Sequence, residues 1–155
     1  MVQIHDGEVY RIDCVANNMI ASYGRSEFVP GAIITVRPYD LLQGEYESRF
    51  VAKSVSGDKW KFVLLNNPSV CLGFHGSPFD GDVLLSTVRD EGNAHTEWVV
   101  DHGSGDKESL IHMPIDSGDV AWTIPVGSPP GTPVVLQGQN GSPGQQWKIG
   151  IPEDE

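Results

Sequence analysis

Apolar and polar positions alternate in short runs along this chain. In residues 8–15 the apolar Tyr10, Ile12 and Cys14 interleave with Arg11 and Asp13, the period-two mark of a half-buried strand. Comparable runs follow at 19–23, 32–36, 49–55, 59–64, 70–74, 83–88, 96–100, 109–113, 120–124, 134–137 and 146–149, which makes twelve predicted strands. No segment carries the three-to-four spacing of a helical apolar stripe. The runs are separated by clusters of Gly, Pro, Asn, Asp and Ser, which are turn chemistry.

The runs recur in register. Ser56-Gly57-Asp58-Lys59 returns as Ser104-Gly105-Asp106-Lys107, 48 residues later. Gly31, Gly81 and Gly131 stand 50 residues apart, each opening an apolar run. Phe50, Trp98 and Trp147 mark the fourth run of each unit, at spacings of 48 and 49. Such self-similarity predicts three units of about 50 residues and four strands each. We place them at 7–56, 57–104 and 105–151 within one domain spanning 1–155. Three blades are too few for a propeller ring. An all-β β-trefoil closes three such units into a six-stranded barrel capped by hairpins, and closure leaves few strand edges exposed.

Composition narrows the function. The formal charge is −11, which argues against nucleic acid and anionic membranes as partners, since both need a basic face. The first residues lack a signal-peptide pattern, so a cytoplasmic location is expected, with unconventional release compatible with the same sequence. Cys14 and Cys71 fall at unmatched places in different units and read as small buried hydrophobes. The five histidines, His5, His75, His95, His102 and His112, show no metal-ligand spacing and read as surface and edge residues. His102-Gly103-Ser104-Gly105-Asp106 holds the letters of a catalytic triad within one turn, where triad geometry is out of reach. No metal, cofactor or enzymatic activity is expected, and the chain is expected as a monomer. A barrel displaying many loops binds with its loops.

The opening Gly7-Glu8-Val9-Tyr10-Arg11-Ile12 is a Gly-x-Tyr-Arg-Ile pattern with one extra residue. With the threefold repeat, the scarcity of cysteine and the missing signal peptide, it resembles the mushroom β-trefoil protease inhibitors. These fungal proteins, with defence roles, include cospin-type serine protease inhibitors and the mycocypins, which act on cysteine proteases. The cospin likeness implies that the loop between strands two and three enters a trypsin-like protease, led by an arginine. Here that loop holds Gly24, Arg25, Ser26, Glu27 and Phe28, with Arg25 as the residue for the primary pocket. A guanidinium is always charged and suits the carboxylate at the base of that pocket. Arg89 and Lys107 are the weaker basic candidates. The mycocypin likeness implies a second loop, Leu65-Asn66-Asn67-Pro68, in which Asn66 or Asn67 would block an asparagine-specific cysteine protease such as legumain.

Two other families share the expected fold. Plant Kunitz inhibitors carry disulfides with no counterpart here. Ricin-B-type lectins carry Gln-x-Trp in each unit, which here is met by Gln145-Gln146-Trp147 alone, against Thr96-Glu97-Trp98 and Ser48-Arg49-Phe50. A carbohydrate-binding lectin is therefore the alternative, for which a solvent-facing Trp60 or Trp122 would supply a stacking surface.

Overall fold

A computed structural model describes residues 4–23, 31–38, 48–55, 57–65, 67–75, 83–92, 94–103, 105, 107–115 and 118–151. Its strands are β1 (Val9–Cys14), β2 (Ile20–Ser22), β3 (Thr35–Arg37), β4 (Phe50–Ser54), β5 (Lys59–Leu64), β6 (Asn67–Gly73) and β7 (Val83–Leu84). They continue with β8 (Ser86–Arg89), β9 (Trp98–His102), β10 (Ser109–Ile115), β11 (Gly118–Thr123), β12 (Val135–Gly138) and β13 (Trp147–Gly150). One turn of 3-10 helix, Pro143–Gln145, precedes β13.

Six strands close a barrel. Going round, β1 pairs with β4, β4 with β5, β5 with β9, β9 with β10, β10 with β13, and β13 with β1, all antiparallel. The remaining strands form hairpins, β2 with β3, β6 with β8, and β11 with β12, to which β7 adds. This is the β-trefoil that the repeat predicts. The run 83–88, expected as one strand, is two short ones because the chain changes partner at Leu85. Before that residue it pairs with β12, after it with β6.

The partner change exposes the threefold axis. The Ile34 N–H donates to the Leu85 carbonyl, Leu85 N–H to Val134 O, and Val134 N–H to Ile34 O, each at 2.9 Å. The three residues, fully buried, lie 51 and 49 positions apart and satisfy one another in a ring. Buried backbone groups need such partners, so the ring locks the three units together. Three residues earlier, Gly31 N–H donates to Thr87 O and Gly131 N–H to Val36 O, at 2.7 and 2.8 Å. Both glycines have positive φ (101° and 87°), a conformation that costs other residues. That accounts for two of the three evenly spaced glycines.

The aromatic that marks the fourth run of each unit sits in the core: Phe50, Trp98 and Trp147 are fully buried. Trp98 Nε1 donates to Leu72 O and Trp147 Nε1 to Trp122 O, both at 3.0 Å. In the first unit Ala21 stands where Leu72 and Trp122 stand, by its register with Val36, and Phe50 has no N–H to offer it. Trp122 meets Trp98 and Trp147 edge-on, at centroid distances of 5.5 and 5.9 Å, an arrangement aromatic quadrupoles favour.

Cys14 and Cys71 are both buried and unbridged. Burial pushes the Cys71 thiol up to about 12, helped by the nearby Asp90 carboxylate, and burial likewise raises Cys14. The thiolate is the reactive form. Native protein at pH 8 is therefore expected to leave both thiols unmodified by Ellman's reagent over an hour, with two equivalents titrating after denaturation. Prompt reaction of either thiol in the native state would contradict that burial.

Candidate functional site

The loop residues Gly24, Arg25, Ser26, Glu27 and Phe28 lie outside the described residues, but the two ends that carry them are described. Tyr23, immediately after β2, is buried with its ring 6.0 Å from that of Phe50. At the other end, beyond the Gly31 bond to Thr87, the Ala32 N–H donates to Thr87 Oγ1 at 2.9 Å. Thr87 N–H returns a bond to Ala32 O at 2.8 Å. Both stems are thus tied to the core, one of them to a neighbouring unit. The equivalent loop of the third unit closes as a turn, with Ser128 N–H donating to Pro125 O and Gly127 at positive φ.

Of the second candidate loop, Asn66 lies outside the described residues. Asn67 begins β6 and its Oδ1 accepts from Ser69 Oγ at 2.8 Å, as a turn-forming asparagine does. Arg89 is exposed at the end of β8, and Lys107 is exposed on the turn closed by Gly105 and Glu108.

For the lectin reading one requirement fails and one feature supports it. Trp122, which would have to face solvent to stack a sugar, is fully buried, and Trp60 is half-buried against the core. The alternation of β11 turns Trp122 inward together with Val120. The support is Gln145, also fully buried. Its Oε1 accepts from the N–H groups of Asn140 and Gly141 at 2.9 and 3.1 Å. Its Nε2 donates to Gly138 O at 2.9 Å and Thr123 Oγ1 at 3.1 Å. One amide thus uses all four of its hydrogen-bonding positions to hold the 138–141 turn against β11. Gln146 adds Nε2 to Gly141 O at 3.0 Å. The adjoining Gly144 leaves no room for a side chain, since a Cβ there would lie 2.0 Å from Ile124 O. In the second unit Thr96 takes the place of Gln145, and its hydroxyl reaches Asp90 Oδ1 at 3.3 Å. Asp90 in turn holds Lys61 Nζ at 2.7 Å, and that hydrogen bond raises the lysine pKa.

One histidine is not where its residue type placed it. His112 is buried on β10, its Nδ1 2.5 Å from Asp119 Oδ2 on β11 and its Nε2 3.6 Å from Asp101 Oδ2 on β9. The core-facing residues of β10 are Ile111 and Met113, so the strand alternation gave no signal for its burial. His95 is exposed and stacks on Phe74, ring centroids 4.7 Å apart. Among the described residues no group of three His, Cys, Asp or Glu side chains is arranged to hold a metal ion.

No family model matches the chain, and no curated protein does. Solved structures do match. The designed threefold-symmetric protein ThreeFoil superposes with a TM-score of 0.77 at 14% identity, covering 93% of this chain and 99% of its own. The Macrolepiota procera ricin B-like lectin, solved with lactose, gives 0.75 at 22% identity, covering 97% and 100%. A proteinase inhibitor from Coprinopsis cinerea gives 0.68 at 14%, covering 96% and 99%. At these identities the likeness establishes the fold: the chain is a β-trefoil, similar in architecture to lectins and to a proteinase inhibitor.

Proposed function

We propose that this chain is a tight-binding, reversible inhibitor of trypsin-like serine proteases, presenting the loop 24–28 with Arg25 leading. The observation that supports it is the anchoring of both loop stems, Tyr23 against Phe50 and Gly31–Ala32 on Thr87. A segment tied at both ends to a rigid barrel loses little entropy on docking, so one arginine can dominate the affinity. If the loop is cut, the stems keep the new amine beside the acyl-enzyme, and religation competes with hydrolysis. The inhibitor then needs no catalytic group of its own.

Titration of trypsin activity with wild type and Arg25→Ala tests this. Wild type is expected to inhibit stoichiometrically at nanomolar concentrations, and the variant to bind at least about a thousandfold more weakly, the scale of a central anchor residue. Inhibition that survives the substitution moves the site to Arg89 or Lys107. Absence of inhibition by wild type overturns the proposal.

A second reading, carbohydrate binding through the third unit, is favoured by the Gln145 network, which holds a short exposed turn rigid beside β11. Its weakness is the burial of Trp122, which removes the stacking surface that reading called on. Legumain inhibition through Asn66 and Asn67 ranks below both, because the Asn67 carbonyl oxygen is already engaged by Ser69.

A further inference from the structure

An open groove of about 380 Å³ is lined by Gly7, Glu8, Val9, Arg49, Leu65 and Ile151. None of these six residues belongs to the segment 24–28 or to the Gln145 network. Its size falls at the lower end of small-molecule sites. Val9 and Leu65 are half-buried along it, and Ile151 is 66% exposed at its edge.

Arg49 is the unusual member. It is half-buried, yet among the described residues its side chain has no hydrogen-bond or ion-pair partner. Arg11 and Lys61, equally half-buried, are each engaged by a carboxylate. Its counterpart in the third unit, Gln146, is spent on the 138–141 turn. A partly desolvated guanidinium favours a carboxylate that can meet its donors in pairs. Glu8 on the same groove and the net charge of −11 repel polyanions, which disfavours phosphates, nucleotides and sulfated glycans. A single negative charge attached to an apolar body fits both halves of the lining.

The geometry points to a binding site for an apolar monocarboxylate at the Arg49 groove, with the carboxylate on Arg49 and the hydrocarbon on Val9, Leu65 and Ile151. Such a carboxylate reaches the groove either as a free acid or as the C-terminal residue of a peptide.

The test follows backbone amide shifts of ¹⁵N-labelled full-length protein with N-acetyl-leucine as the probe. The amides of Glu8, Val9, Arg49 and Leu65 are expected to shift together and saturate with a dissociation constant of about 1 mM, ordinary for a ligand of about a dozen atoms. N-acetyl-leucinamide, which lacks the charge, and acetate, which lacks the apolar body, should each bind at least about tenfold more weakly. Arg49→Gln should weaken N-acetyl-leucine at least about tenfold and Arg49→Lys less, whereas Lys53→Gln should leave it unchanged, with dispersed spectra verifying that each variant folds. A leucine-ending tetrapeptide with a free terminus that binds more tightly than N-acetyl-leucine assigns the peptide source, and one that binds no better assigns the free acid. No shifts up to about 20 mM, equal binding of the amide, or undiminished binding by Arg49→Gln would each overturn the assignment.

Discussion

Replacing Trp147 by alanine is expected to lower stability by about 3–5 kcal/mol, the usual range for emptying a large aromatic site in a packed core. The indole is fully buried, meets Trp122 edge-on and donates to the Trp122 carbonyl. Alanine would lose the transfer energy, leave a cavity in the core and orphan a buried acceptor. For a chain of this size the corresponding fall in melting temperature is about 10 °C. A total stability of about 5–15 kcal/mol leaves this variant near its limit, so Trp147→Phe serves beside it. Phenylalanine keeps most of the volume and removes the donor, and the expected loss is about 1–3 kcal/mol for the unpaired carbonyl. Urea denaturation followed by circular dichroism measures both. A phenylalanine variant as stable as wild type would mean that the bond to Trp122 contributes nothing.

The first unit already carries that substitution. Phe50 stands where Trp98 and Trp147 stand, opposite Ala21 in place of Leu72 and Trp122. The threefold core is therefore chemically uneven, with two anchored indoles and one ring that makes no polar bond.

The barrel was legible because closure imposes a simple rule on each strand. Residues that alternate in sequence must alternate between core and surface, so Tyr10, Ile12 and Cys14 could be placed inward by counting. The repeat supplied the closure, since three equal units have few ways to bury their apolar faces together. The division at Leu85 was hidden for the same reason. The inward pattern of 83–88 is unbroken while the hydrogen-bonding partner changes, and side-chain periodicity says nothing about which strand lies alongside. Whether Trp122 could serve as a sugar platform depended on its exposure, and it is fully buried. His112 was missed for another reason: it faces away from the core residues Ile111 and Met113, and its partners Asp101 and Asp119 come from other strands.

Gln145 shows both sides of that boundary. As one match to Gln-x-Trp it weighed little, and its chemistry became visible only when all four of its hydrogen bonds could be traced. Arg49 carried no signal at all in the sequence. Its interest lies in the partner it lacks among the described residues, which only the surrounding groove reveals.

Gln145→Ala is expected to cost about 3 kcal/mol and to separate the two functional readings. The substitution removes four hydrogen bonds, to Asn140, Gly141, Gly138 and Thr123. Net worth per neutral bond is about 1 kcal/mol, and groups left unpaired in the interior add to the loss. The turn can open to water and recover part of it, which holds the total near 3 kcal/mol rather than the full sum. Hydrogen exchange should then show the amides of Asn140 and Gly141 losing protection, while those of the ring Ile34, Leu85 and Val134 keep theirs until global unfolding. The loop 24–28 springs from stems that share no hydrogen bond with Gln145, so at temperatures where the variant is folded its trypsin inhibition should match wild type within about twofold. Binding on a glycan array, if the third unit supplies it, should fall with the loss of the turn. An inhibitor unaffected by Gln145→Ala and abolished by Arg25→Ala assigns the activity to the first unit. Glycan binding abolished by Gln145→Ala, with no effect of Arg25→Ala, would instead make the third unit the working part of the molecule and the buried glutamine its pedestal.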